Sequence, residues 1–453
     1  MTQPEATAEV ETIAAPLSAD QRAWLDRAQA LIDDSWITER LVRMVETPSP
    51  FGEERAMAVL TAGIMREAGL DAFVQDIDAL SANAIGRLGA GDGPSLLLFA
   101  PLDSPFTGRA EEEVPWVGDA LPAHMQPRAV VADGRVTGLS ADNPKGHIAA
   151  LIASARAVAL SGAALTGRVT LAFGAGGAPA NGRQGEARQN VGHGAGCNFM
   201  LRHGIGGDFA IIAKPGFRVA WEEVGLCWFR VRVRGVQAYV GRRHVLTYRN
   251  PIVEAAPVIT ALERWFGEYA RRHTDGVVAP QGAIGAIQGG WPHKPAFTPA
   301  ACDLYVDLRI SPRTSPMQAQ RELDTALAEI RAANPGLEVA SEMIVAIPGH
   351  TTDPRNWVIQ TCLRAWEESE GQPHRPFLET SGQTEAVILR AHGIPTARFG
   401  LPAQMSPGPD KPVHSMGGVE VAAIRRYARC IAYAIIDTCC RGLEDVGLRR
   451  PGA

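Results

Sequence analysis

The 453-residue sequence has no Cys-x-x-Cys pair, no apolar run of membrane-spanning length and no excess of basic charge. Each absence excludes a class. The seven cysteines (Cys197, Cys227, Cys302, Cys362, Cys430, Cys439 and Cys440) are odd in number and scattered. They indicate neither a disulfide framework nor a paired-cysteine metal site, and free thiols in a reducing compartment are expected. A net charge of −5 gives no electrostatic case for nucleic acid or an anionic membrane as a partner. No internal repeat is present. Met1 to Asp20 is rich in Ala, Glu, Thr and Pro and lacks the basic and apolar regions of a secretory signal. It reads as the disordered tail (1–20) of a cytoplasmic protein.

What is present points to two domains, because 453 residues exceed what one core usually serves. Residues 21–45 carry apolar positions at helical spacing, and a second helix runs from about Glu53 to Ala68, with Gly69 as its stop. Short edge strands are expected at 72–75 and 83–87. SLLLFA (95–100), VTLAFG (169–174) and DFAIIA (208–213) are continuous apolar runs, the pattern of strands buried on both faces. An Ala-rich helix at 146–160 lies between the first two. Strands alternating with helices predict a mainly parallel sheet, whose carboxyl ends are where chemistry collects. From Trp221 the pattern changes. LCWFRVRVRG (226–235) alternates apolar and basic residues, as a half-exposed strand does. Helices at 251–272 and 315–333 and strands near 282–287 and 302–310 complete a small α+β block. After Pro335 the chain is expected to return to the first domain, with a helix at 354–369, a strand at 395–399 and a last helix at 419–441. Residues 174–196 are Gly-rich and read as an insertion.

Several segments, in order, resemble the M20-type aminoacylase/carboxypeptidase family of metallopeptidases. These are LLLFAPLDSP (96–105), GLSADNPKG (138–146), DFAIIAKPG (208–216), IGAIQGG (284–290), LYVDLRISP (304–312), SGQTEAVILRAHGIPTARFG (381–400) and KPVHSMGGVEV (411–421). The resemblance implies an α/β fold: a doubly wound, mainly parallel-sheet catalytic domain (21–221 and 344–453). Inserted in it is a smaller α+β, ferredoxin-like lid or dimerisation domain (222–343), with homodimers forming through the lid.

In that family two zinc-like ions sit between carboxylates and imidazoles, lower the pKa of a bridging water and polarise the scissile carbonyl. Carried over residue by residue, the resemblance implies a degenerate metal site. Pro101 stands at the first histidine ligand, and Asp103, which would orient that histidine, is kept. Asp142 matches the bridging aspartate and His414 the last histidine. Lys214 stands where an acidic ligand is expected, and the glutamate pair of base and ligand aligns with Gln189 and Asn190. A lysine beside two cations costs roughly 4 kcal/mol per like-charge contact at about 4 Å. No metal is therefore expected as cofactor; if one binds, Asp142 and His414 would hold it, and zinc or another divalent ion would be its identity. Lys214 is expected to pair with Asp142 or Asp103.

Asp142, Lys214, His414 and Asp103 are thus the candidate catalytic group, with His414 as general base and Lys214 as proton donor or oxyanion stabiliser. Candidate substrate-binding residues are Arg309, matching a lid arginine that grips a carboxylate, together with Tyr239, His244, Gln189, Asn190 and Glu379, the last flanking SGQT together with Glu385. Against these stand blander readings: Arg309 as a strand ion pair, His244 as a surface histidine, and Lys214 as a plug for buried carboxylates. The expected function is hydrolysis of a C–N bond in a small amide, lactam, imide or ureide. The alternatives are a conventional zinc-dependent peptidase or deacylase and a non-catalytic ligand-binding pseudoenzyme.

Overall fold

The computed structural model describes residues 10–449 apart from 115, 184, 377–380, 403–404, 408–411 and 415, and for 405–407 and 412–414 the backbone alone. The chain divides into two units, the smaller built on Glu222–Thr351 and the larger on the chain up to Trp221 and again from Thr352. Ten strands make the principal sheets. In chain order they are β1 (Asp71–Asp76), β2 (Ala82–Leu88), β3 (Ser95–Pro101), β4 (Arg168–Gly174), β5 (Phe209–Ile212), β6 (Gly225–Arg234), β7 (Gly282–Gly289), β8 (Ala301–Ile310), β9 (Glu338–Ile347) and β10 (Thr396–Arg398).

The larger unit's sheet has the order β1-β2-β4-β3-β5-β10. β3 pairs in parallel with both β4 and β5, and β5 with β10. β1 and β2 form an antiparallel edge. Every residue of β3 is buried, which is why its sequence is an unbroken apolar run. The helices His147–Ser161, Trp357–Glu370 and Val421–Cys439 pack together within this unit. The sequence pattern over 21–45, read as one helix, resolves into two, Ala19–Ala30 and Asp34–Val45. The break is made by Asp33, whose carboxylate accepts the Ser35 N–H and starts the second helix as an N-cap.

Of the expected disordered tail (1–20), the described part, residues 10–20, is instead tied down. Ile13 donates its N–H to Gln360 Oε1 at 2.6 Å, and Thr12 Oγ1 donates to Glu367 at 2.8 Å. Arg364 donates to the Ile13 carbonyl and Arg441 to those of Ala15 and Pro16. Both guanidiniums converge on Asp437, a fully buried carboxylate that also accepts from Thr361. These carbonyls are satisfied by side chains rather than water, so the segment lies ordered on the domain.

In the smaller unit the order is β7-β8-β6-β9, antiparallel throughout. The alternation in β6 turns Cys227, Phe229, Val231 and Val233 inward, onto a core shared with the helices Pro251–His273 and Pro316–Ala333. Both helices begin with a capping side chain followed by proline: Asn250 accepts the Ile252 N–H, and Ser315 that of Gln318. β9 was not expected, and the sequence-based boundary at 343 falls inside it. Its residues pair with β6 along nearly their whole length, which keeps it in the smaller unit.

Replacing Asp437 by alanine leaves two largely buried guanidiniums without their counter-charge. The unfolding free energy of the larger unit should fall by about 3–5 kcal/mol, read as an earlier urea transition. A shift below about 1 kcal/mol would show that the pairs are worth no more than surface ones.

Candidate functional site

At the carboxyl ends of β3, β4 and β5 the larger unit collects acids around one lysine. β3 ends at Pro101, and two residues on the Asp103 carboxylate is buried. It accepts the Gly177 N–H at 2.5 Å and the Ala178 N–H at 2.7 Å, both from the loop that follows β4. Burial raises the Asp103 pKa, and the Lys214 charge and these amides pull it back. Lys214 lies just past β5, with its Nζ 3.6 Å from Glu385 Oε2. Glu385 is itself buried, at the start of the helix Ala386–Ala391.

A glycine separates the two acids. A side chain at Gly177 would have its Cβ 2.2 Å from Glu385 Oε1, 2.5 Å from Pro101 Cβ and 2.9 Å from Asp103 Oδ1. No other residue can occupy that position without moving a carboxylate.

A third acid stands behind. Glu54, at the start of the helix Arg55–Glu67, is fully buried. Its carboxylate accepts from Gly52 N–H (2.5 Å), Ser81 Oγ (2.6 Å) and Gly176 N–H (3.0 Å). Burial first, and then the charge of Asp103, push its pKa up to about 7.

Asp142 is fully buried in the turn Ala141–Gly146. The N–H groups of Asp142 and Asn143 both point at the Met416 carbonyl, at 3.0 and 3.3 Å. The turn is thereby tied beside the short strand Pro412–His414, whose His414 pairs with Met405. The His414 side chain lies outside the described residues, so its expected role as base has no geometry here. His147 shares the turn. Its Nε2 accepts the Leu401 N–H at 3.0 Å, so Nδ1 carries the proton and donates it to the Asp142 carbonyl at 3.0 Å. Burial lowers its pKa to about 3, which keeps it neutral. Lys145, also fully buried, reaches the carbonyls of Val45 (3.4 Å) and Thr47 (3.2 Å), and burial lowers its pKa to about 7.

Of the residues expected from sequence, Asp103 and Lys214 come together, but the lysine's ion pair is with Glu385 rather than with Asp142 or Asp103. Gln189 and Asn190 are exposed in the loop, and the Gln189 amide is spent on the Glu186 carbonyl at 2.6 Å. Glu379 lies outside the described residues. Tyr239, His244 and Arg309 belong to the smaller unit. There Tyr239 is half-exposed against Phe297, with ring centroids 5.2 Å apart, and His244 is exposed. Arg309 lays its fork on Asp307 at 2.7 and 3.0 Å, the arrangement of a strand ion pair. Glu54, Lys145 and His147 were missed. The one signal available for Glu54 was its place at a helix start just after the break PSPFG, and that marks a cap as readily as a site.

Residues 222–334 match the peptidase dimerisation domain of the M20 family. Solved structures share the fold over nearly their full length. Human carnosine dipeptidase 1 is 12% identical, with 94% of this chain and 100% of that one covered and a TM-score of 0.66. An M20 family metallo-carboxypeptidase from Sulfolobus solfataricus is 10% identical, with 89% and 99% covered and a TM-score of 0.63. An amidase of the hydantoinase/carbamoylase family from Burkholderia multivorans is 18% identical, with 90% and 98% covered and a TM-score of 0.58. The chain has the two-domain fold of the M20-type metallopeptidases, and its smaller unit carries their dimerisation domain.

That finding overturns the expectation of no cofactor, because the fold is that of metal-dependent peptidases. The described residues do not by themselves complete a metal site. Among them no three His, Cys, Asp or Glu side chains are grouped to hold an ion. His147, the imidazole bonded to the Asp142 turn, spends both ring nitrogens on the backbone.

The raised pKa of Glu54 has a consequence for stability. A carboxyl held above its ordinary 4.5 contributes most when protonated in both states, and that contribution is lost as pH rises through about 7. The loss is roughly 3 kcal/mol. Glu54→Gln removes this part of the slope. Its unfolding free energy relative to the parent should therefore improve by roughly that amount between acid and mildly alkaline pH. A difference that stays constant with pH would refute the assignment.

Proposed function

We propose that the chain is a hydrolase of the C–N bond in a small amide, lactam, imide or ureide. The observation that carries the reading is the ion pair of half-buried Lys214 with buried Glu385, beside Asp103, at the carboxyl ends of parallel strands. That is the usual place for a site in an open α/β sheet. Solved structures with the same fold include a dipeptidase, a metallo-carboxypeptidase and an amidase of the hydantoinase/carbamoylase family, all hydrolases of C–N bonds.

Glu385 is the group suited to take a proton from water, since its carboxylate is buried and its counter-charge is a lysine only 3.6 Å away. As the water oxygen adds to the carbonyl carbon, negative charge develops on the carbonyl oxygen, and the Lys214 ammonium is placed to answer it. Asp103, held by two backbone amides, adds a second negative charge that the lysine's charge acts on. The substrate is a small molecule, and the net charge of −5 makes no provision for nucleic acid. Among the described residues no helix is long and apolar enough to cross a membrane. A homodimer formed through the smaller unit accords with the dimerisation-domain match.

The test is turnover of N-carbamoyl amino acids, dipeptides and hydantoins, each assayed with added zinc or manganese and with chelator. Metal content per chain is measured by mass spectrometry on the same preparation. Hydrolysis of one of these classes is expected. Lys214→Ala should lower kcat/KM at least about a hundredfold in the protein that folds, the scale of losing one electrostatic stabiliser. If nothing is turned over in any metal, yet one compound raises the melting temperature, the chain is a ligand-binding protein instead.

A further inference from the structure

Glu54 touches nothing that could be substrate, yet it is fully buried one loop away from Lys214. Three successive backbone amides of that loop, Gly176, Gly177 and Ala178, donate to two carboxylates from distant parts of the chain. Glu54 takes the first, and Asp103 takes the second and third. The turn is possible only with glycine at its first two positions. Gly176 has φ +64°, and a Cβ on it would lie 2.5 Å from the Val191 carbonyl oxygen, while Gly177 passes between Asp103 and Glu385. The far side of the loop returns to the same anchor. Arg188 donates to the Gly52 carbonyl (2.6 Å), to Ser81 Oγ (2.9 Å) and to Asp78 (2.7 Å). Ser81 in turn donates to Glu54, and the Gly52 amide does the same. One buried carboxylate thus holds the loop at its start and, through Ser81 and Gly52, meets the arginine that holds it near its end.

We propose that Glu54 is a positioning residue of the site. By fixing the Gly176 amide it sets where Gly177 and Ala178 present their N–H groups to Asp103, and so sets the second acid beside the Lys214–Glu385 pair. The Gly-rich stretch is on this view a structural part of the site, latched from behind. The raised pKa of Glu54 agrees with a role that rests on hydrogen bonding rather than on charge. The inference depends on the reading that Lys214 and its acids form the working site. Its test needs no turnover, so its failure is separable from failure of the hydrolase assignment.

The full-length chain is compared with Glu54→Ala, Glu54→Gln and Ser81→Ala. Two quantities are followed: the rate of tryptic cleavage after Arg183, which is exposed in the loop, and the rate of Lys214 modification by an amine-directed reagent, read by peptide mass spectrometry. The chain has only four lysines, Lys145, Lys214, Lys294 and Lys411, so each is resolved. Glu54→Ala should raise both rates at least about tenfold, because a latch worth a few hydrogen bonds is lost. Glu54→Gln keeps an acceptor for Gly176 and should restore both to within about twofold of the parent. If Glu54→Ala does not fold, Ser81→Ala, which removes a single contact, should move both rates in the same direction. Faster cleavage without a change in Lys214 modification would reduce Glu54 to a structural anchor and overturn the proposal. So would unchanged rates in Ser81→Ala and Glu54→Ala, or a Glu54→Gln protein that behaves like Glu54→Ala.

Discussion

A carboxylate taken out of water must be met by donors or it will hold its proton, and that requirement shapes the larger unit around its site. Asp103, Glu385 and Glu54 are buried just past the end of β3 and at the starts of the helices Ala386–Ala391 and Arg55–Glu67. Among the described residues the lysine paired with one of them is Lys214, at Glu385. The remaining demand is met by backbone N–H groups, which is why the loop after β4 must present three amides in a row, and why it needs glycine to do so. A histidine in the neighbouring turn is kept neutral by the same economy, with both ring nitrogens engaged by backbone.

The parts of the fold visible in the sequence were those with one dominant local signal. Continuous apolar runs marked β3, β4 and β5, and strict alternation marked β6, because burial on two faces and on one face leave different spacing. β9 left little trace: only Val339 is buried, and from Ala340 on its residues alternate between exposed and intermediate, since it lies at the edge of the smaller sheet. The helical pattern of 21–45 concealed a break, because one N-cap aspartate in a run of Asp and Ser has no hydrophobic signature.

The site was legible in part and for a different reason. Asp103, Asp142 and Lys214 stood out through a family resemblance that fixes positions along the chain. Partners are set by three-dimensional closure, so the pairing of Lys214 with Glu385, 171 residues later, could not be read from spacing. Gln189 and Asn190 were drawn in by alignment alone, and the loop carries them outward to the surface instead. The expected absence of metal came from reading residue changes without the weight of the fold, and the fold match reverses it.

The outer face of the smaller sheet carries charges set in opposed pairs: Arg230 against Glu342, Arg232 against Asp303, and Arg309 against Asp307. The inner face of the same strands carries Phe229, Val231, Val233, Leu304 and Val306. A slip of β6 by one residue would drive the guanidiniums of Arg230, Arg232 and Arg234 into the apolar core and put Phe229 in water. Every second residue therefore works like a parity bit: any odd-numbered slip of the strand is signalled by all of them at once.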